Sequence, residues 1–174
     1  TESRLASTPF PEACRWVMQT TLPPGRSIGF GDSWPERLIN PEYIGAVAAA
    51  NQDGVLQWFY QRYQNSEISS LEFVTYDPQV APLAPEGREP LSKVYRGQGR
   101  LAISRTDWDP DTTDCVVYGK AGREDNHEHN DLGQLCIDGH GDRLITDPGS
   151  PSTYPKNYFE APRSTYYNAS VLGH

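Results

Sequence analysis

The chain has 174 residues, 36% of them hydrophobic and 11% aromatic, which suits one compact domain or two small ones and excludes disorder throughout. Its net charge of −8, with no run of Lys or Arg interleaved with aromatics, excludes an electrostatic footprint for nucleic acid. No stretch approaches the ~18 apolar residues of a membrane span, and 15 Gly with 15 Pro gathered between apolar runs leave room for β structure beside helices.

Thr1-Glu2-Ser3-Arg4 is neither a start methionine nor a signal peptide, so the chain is expected to belong to a longer parent. From Pro11 to Thr20, Ala13, Trp16 and Val17 recur at helical spacing until Leu22-Pro23-Pro24-Gly25 stops the run. Between Pro41 and Gln64 two apolar sets, Ile44, Val47, Ala48 and then Val55, Trp58, Phe59, Tyr63, predict a helical pair broken at Asn51-Gln52-Asp53-Gly54. The prolines and glycine from Val80 to Pro90 fit a linker, which puts a boundary near residue 85.

Beyond it, Leu91–Tyr95, Arg100–Ser104, Cys115–Tyr118, Gly133–Ile137 and Arg143–Thr146 read as successive antiparallel strands separated by Gly, Asp and Pro. Gly139-His140-Gly141-Asp142 has the composition of a tight hairpin. The expected class is α+β: a helical segment over 1–85, then an antiparallel β portion over 86–174 whose partner strands lie beyond the chain. Cys14, Cys115 and Cys136, an odd number without CxxC spacing, support neither a disulfide framework nor a thiolate zinc site.

Chemistry concentrates late in the chain. His127-Glu128-His129-Asn130-Asp131 is followed by His140, Asp142 and Asp147. On an extended segment His127, His129 and Asp131 share one face, and imidazole with carboxylate suits zinc or iron. A polar loop on a solvated edge is the plainer alternative. Arg143-Leu-Ile-Thr-Asp147-Pro-Gly runs a strand into an acidic residue and a turn, so a hairpin would return Asp147 toward His129. Alone, Asp-Pro-Gly is a turn signal.

Taken in order, His127-Glu-His129-Asn-Asp131-Leu-Gly, Asp147-Pro-Gly, Tyr154 and Arg163-Ser-Thr-Tyr-Tyr167-Asn168-Ala-Ser-Val resemble the heparinase II/III-like polysaccharide lyases, which include the oligoalginate lyases. Gly29-Phe-Gly31-Asp32-Ser33, Tyr76-Asp77-Pro78 and Arg105-Thr-Asp-Trp108 extend the likeness upstream. The resemblance implies that residues 1–85 close an α/α toroid and residues 86–174 begin a β-sandwich. It also implies β-elimination on uronic-acid glycans such as alginate or heparin-type chains, in a periplasmic or secreted protein. His127 falls on the family's active-site histidine, and His129 and Asp147 fall on zinc ligands. Tyr167 stands where the family has its third ligand, a histidine, and a phenol is the poorer zinc ligand.

On that reading His127 neutralises the substrate carboxylate or moves its proton, since an imidazole near neutrality acts in both directions. Tyr154 and Tyr158 are the tyrosine candidates for proton transfer, or ordinary loop aromatics. Arg163 pairs with a substrate carboxylate or braces Asp147. The partners expected are an acidic polysaccharide and the rest of the parent chain, with no nucleic acid and no membrane. No toroid catalytic motif is visible in residues 1–80, so the segment alone is expected to be inactive.

Two other readings stay open. His129-Asn-Asp131 with His174 could form the facial triad of an iron and 2-oxoglutarate oxygenase, which would leave His127 and Asp147 without a role. A noncatalytic carbohydrate-binding β-module would instead use Trp108, Tyr154 and Tyr158. Asn168-Ala169-Ser170 matches a glycosylation acceptor but is common by chance.

Overall fold

The computed structural model describes residues 4–7, 9–31, 33–34, 36, 39–65, 67–97, 100–108, 115–122 and 132–147. The fold is α+β, as the sequence predicts. The chain divides into two compact units, one of Thr1–Thr21 with Leu38–Pro90, the other of Leu22–Arg37 with Leu91–His174. No helix among the described residues is long and apolar enough to cross a membrane.

The first unit is helical. After a 3-10 turn at Arg4–Ala6, α1 (Phe10–Gln19) carries Pro11 in its first turn, where a missing N–H costs nothing. Its buried residues are Cys14, Met18 and Gln19, while Trp16 is 43% exposed. The apolar face read from Ala13, Trp16 and Val17 is therefore rotated, because Gln19 enters the interior by donating from Nε2 to the Pro90 carbonyl at 2.9 Å.

The expected helical pair forms as α2 (Glu42–Asn51) and α3 (Gly54–Tyr63). Gln52 turns the chain in the left-handed region at φ 51°. Asp53 then caps α3, its carboxylate accepting from the Val55 and Leu56 amides at 3.1 Å each. The two helices bury Ile44, Val47, Ala48, Val55, Leu56 and Phe59. Gly45 permits this packing, since a Cβ there would lie 2.9 Å from Tyr60 Cδ2. Arg15 bridges Asp53 at 2.8 Å and Glu89 at 2.7 Å, so the end of the proline-rich stretch is tied to the α3 cap. A fourth helix, α4 (Ser70–Thr75), opens on a capping box in which Ser69 and Glu72 satisfy each other's backbone amides.

Two short strands, β1 (Thr21–Leu22) and β2 (Arg26–Ser27), form a two-stranded sheet where the helical pattern stops. The second unit is built on an antiparallel meander of β3 (Ser92–Val94), β4 (Leu101–Arg105), β5 (Cys115–Lys120), β6 (Leu135–Gly139) and β7 (Asp142–Ile145), in that order across the sheet. Burial alternates along β4 and β5 as period-2 side chains require. Leu22, Leu101, Ile103, Val116, Tyr118 and Cys136 make the core, with Ile28 and Phe30 packed against it. The Phe30 and Tyr118 rings meet edge-on at 5.3 Å. β6 and β7 join through His140 and Gly141 at φ 56° and 81°, the pair of positive φ values that a two-residue type I′ hairpin demands.

Candidate functional site

His127, His129, Asp131, Tyr154, Tyr158, Arg163, Tyr167 and His174 lie outside the described residues. The described strands nevertheless decide which sheet end each segment leaves from. Gly119 of β5 faces Leu135 of β6, and the Gly133 amide donates to the Lys120 carbonyl at 2.7 Å. The connection that carries residues 127 and 129 is thus pinned to this end. Ile145 of β7 faces Ile137 of β6, so the chain leaves β7 toward the same end and reaches Asp147 two residues on.

Asp147 is fully buried, beside the Cys136 thiol. A carboxylate in that position is costly unless it is partnered, so it marks a constructed place in the fold. His140 and Asp142 sit at the opposite end, in and next to the β6–β7 turn. The structure therefore divides the cluster that looks continuous in sequence: Asp147 shares an end with the 121–134 connection, while His140 and Asp142 do not.

Of the zinc donors implied by the resemblance, only Asp147 is described, and among the described residues no three His, Cys, Asp or Glu side chains gather as a metal site. An imidazole and a carboxylate from His129 and Asp147 suit zinc, and a phenolic oxygen from Tyr167 suits it less well.

The inner face of the sheet also holds a charged group that sequence pattern does not reveal. Asp138 on β6 is 2% exposed and stands 3.7 Å from Arg26 and 3.9 Å from Arg143. Neither carboxylate oxygen of Asp138 makes a close hydrogen bond with a described residue. Burial raises its pKa above the ordinary carboxylate value despite the two guanidinium groups and the nearby Tyr118 hydroxyl. Burial likewise pushes the Tyr118 phenol up, with Asp138 adding to the shift. Arg143 donates to the Ser27 carbonyl at 2.8 Å and the Tyr118 hydroxyl at 3.2 Å. Arg26 donates to the Gly141 carbonyl at 2.7 Å, and the exposed Glu36 reaches both arginines. The only signal for this group in the sequence is that Asp138 and Arg143 flank the hairpin.

Trp108 is 4% exposed, with the Arg105 guanidinium 4.1 Å above its ring. It therefore has no open face on which a sugar could stack, and the noncatalytic binding module loses one of its three aromatics. All three cysteines are free thiols, in keeping with their spacing.

No family model matches this chain, and no curated protein matches it.

Proposed function

We propose that the protein carrying this chain is a polysaccharide lyase that cleaves uronic-acid glycans by β-elimination. The observation that carries the proposal is the convergence at one sheet end. The connection bearing His127 and His129 and the strand leading to the buried Asp147 leave from the same end of the meander, in the order of the family's motifs.

The chemical task is to remove the C5 proton of a uronate and expel the glycosidic oxygen at C4. That proton is weakly acidic because it lies next to an ionised carboxylate. Neutralising the carboxylate stabilises the enolate-like transition state, and this role falls to Arg163 and His127. Tyr154 or Tyr158 then moves the proton toward the leaving oxygen. Zinc, if held by His129 and Asp147 with Tyr167, would brace this end of the sheet and polarise the groups around it. The described part of the chain holds Asp147 buried just past β7, at the sheet end from which the connection bearing His127 and His129 leaves.

The test is to incubate the full-length protein with polyuronates and follow the ultraviolet absorbance of unsaturated uronate ends. Product formation supports the lyase. Succinate released from 2-oxoglutarate, without unsaturated product, would replace it by the oxygenase that uses His129, Asp131 and His174.

A further inference from the structure

A cavity of about 620 Å³ opens on the outer face of the meander, at the end where the 121–134 connection leaves. Its floor is a single row across four strands. Val94, Ala102, Gly119 and Leu135 are register partners in turn. The two central positions are the smallest residues of the row, and this makes the depression. A Cβ on Gly119 would lie 3.2 Å from the Gln134 carbonyl oxygen and 3.8 Å from Leu135 Cδ1. The volume falls in the ~300–1,000 Å³ range of small-molecule sites.

The rim is basic. Arg96 and Arg100 line the cavity as exposed cations, Lys120 borders it although its side chain is buried, and no acidic side chain is among its described lining residues. Lys93 stands 5.8 Å from the ring centroid of Tyr95, which forms part of the wall. Arg96 and Arg100 are exposed, and neither makes an ion pair with a described residue. Arg100 is held at φ 31°, its amide bonded to Gly97 and its carbonyl accepting from Ala121, which ties the basic hairpin to the end of β5. Gln134 Oε1 is buried and accepts no hydrogen bond from the described residues. In a chain of net charge −8, an anionic ligand is repelled at long range and is held only where cations gather locally.

We propose that this cavity is a subsite for an acidic sugar residue. The sugar's C–H face lies on the Ala102–Gly119 floor, its carboxylate or sulfate pairs with Arg96 and Arg100, and a hydroxyl donates to Gln134. The assignment of a glycan rests on the lyase reading. The site adjoins the proposed catalytic segment because Lys120 and Gly133–Gln134, the two stems of the connection carrying His127 and His129, form one wall.

Titration calorimetry of this chain with an oligouronate, a sulfated oligosaccharide and a neutral oligosaccharide of equal length tests the proposal. The anionic ligands are expected to bind and the neutral one not to, with affinity falling as salt rises; the tighter of the two anionic ligands identifies the charged group. Arg96→Ala combined with Arg100→Ala, both at exposed positions, is expected to weaken binding roughly tenfold or more with an unchanged melting temperature. Gly119→Val, which fills the floor, is expected to abolish it. Equal binding of the neutral sugar, or unchanged affinity in the double variant, overturns the proposal.

The two readings fail separately. Intact anionic binding in a protein without eliminase activity would remove the lyase and keep the subsite. Eliminase activity whose KM is unmoved by the double variant would do the reverse.

Discussion

Among the described residues of the helical unit the buried polar ones are Gln19, Thr20, Thr21, Gln57 and Glu72, and Glu72, the charged member, closes its own capping box. In the sheet unit they are Arg105, Lys120, Asp138 and Asp147. A neutral amide or hydroxyl costs less to bury than a charge, which costs several kcal/mol unless it is well paired. A unit that only had to stay folded would gain from replacing such charges by apolar side chains. Among these four groups Asp138 stands out, because burial raises its pKa despite the two neighbouring guanidinium groups.

The helical unit should respond to lost packing far more than to lost charge. Phe59→Ala, at a site 1% exposed, is expected to cost it about 3–5 kcal/mol in denaturant melts. Hydrogen exchange then sharpens the contrast: strand amides of the meander should keep their protection while those of α2 and α3 lose it. Equal loss in both would mean that the two units unfold together. Asp53→Ala removes the α3 cap and one partner of Arg15, with an expected loss of about 1–2 kcal/mol confined to the same helices.

The sheet unit should instead respond to pH. Unfolded Asp138 titrates near 3.9, and its folded value is higher because of burial. Between those two values the folded state binds more protons than the unfolded one. The Asp138 contribution is therefore fully present below about 3.9 and is lost as pH rises through the folded value. Asp138→Asn should flatten this slope in thermal melts, a smaller effect than either substitution above. A slope unchanged in the variant would show that Asp138 is not its source.

Much of the architecture is legible in the sequence, for physical reasons that differ by region. Asn51-Gln52-Asp53-Gly54 announces the α2–α3 break because it combines a left-handed residue with a cap. His140-Gly141 announces its hairpin because few pairs tolerate two positive φ values. Helix α4 escapes a periodicity search at six residues, although Ser69 and Glu72 carry the spacing of a capping box. The membership of Leu22–Arg37 in the sheet unit is invisible locally, since the Arg26 bond to Gly141 spans 115 residues.

The candidate site is legible as residue types but not as geometry. Nothing in the local pattern separates His140 and Asp142, at one sheet end, from Asp147 at the other. The burial of Asp138 and Lys120 is not announced by the sequence, since strand alternation gives a polar residue an outward orientation by default. The basic cavity depends on Ala102 and Gly119 meeting across two strands, which only the register reveals.

The turnover of a His127→Ala variant of the full-length protein, followed by the absorbance of unsaturated uronate ends, tests the central claim most directly. A fall of about 100- to 10,000-fold with an unchanged melting temperature is expected. Turnover retained at the level of the unsubstituted protein would contradict it and leave the sheet end without a catalytic role.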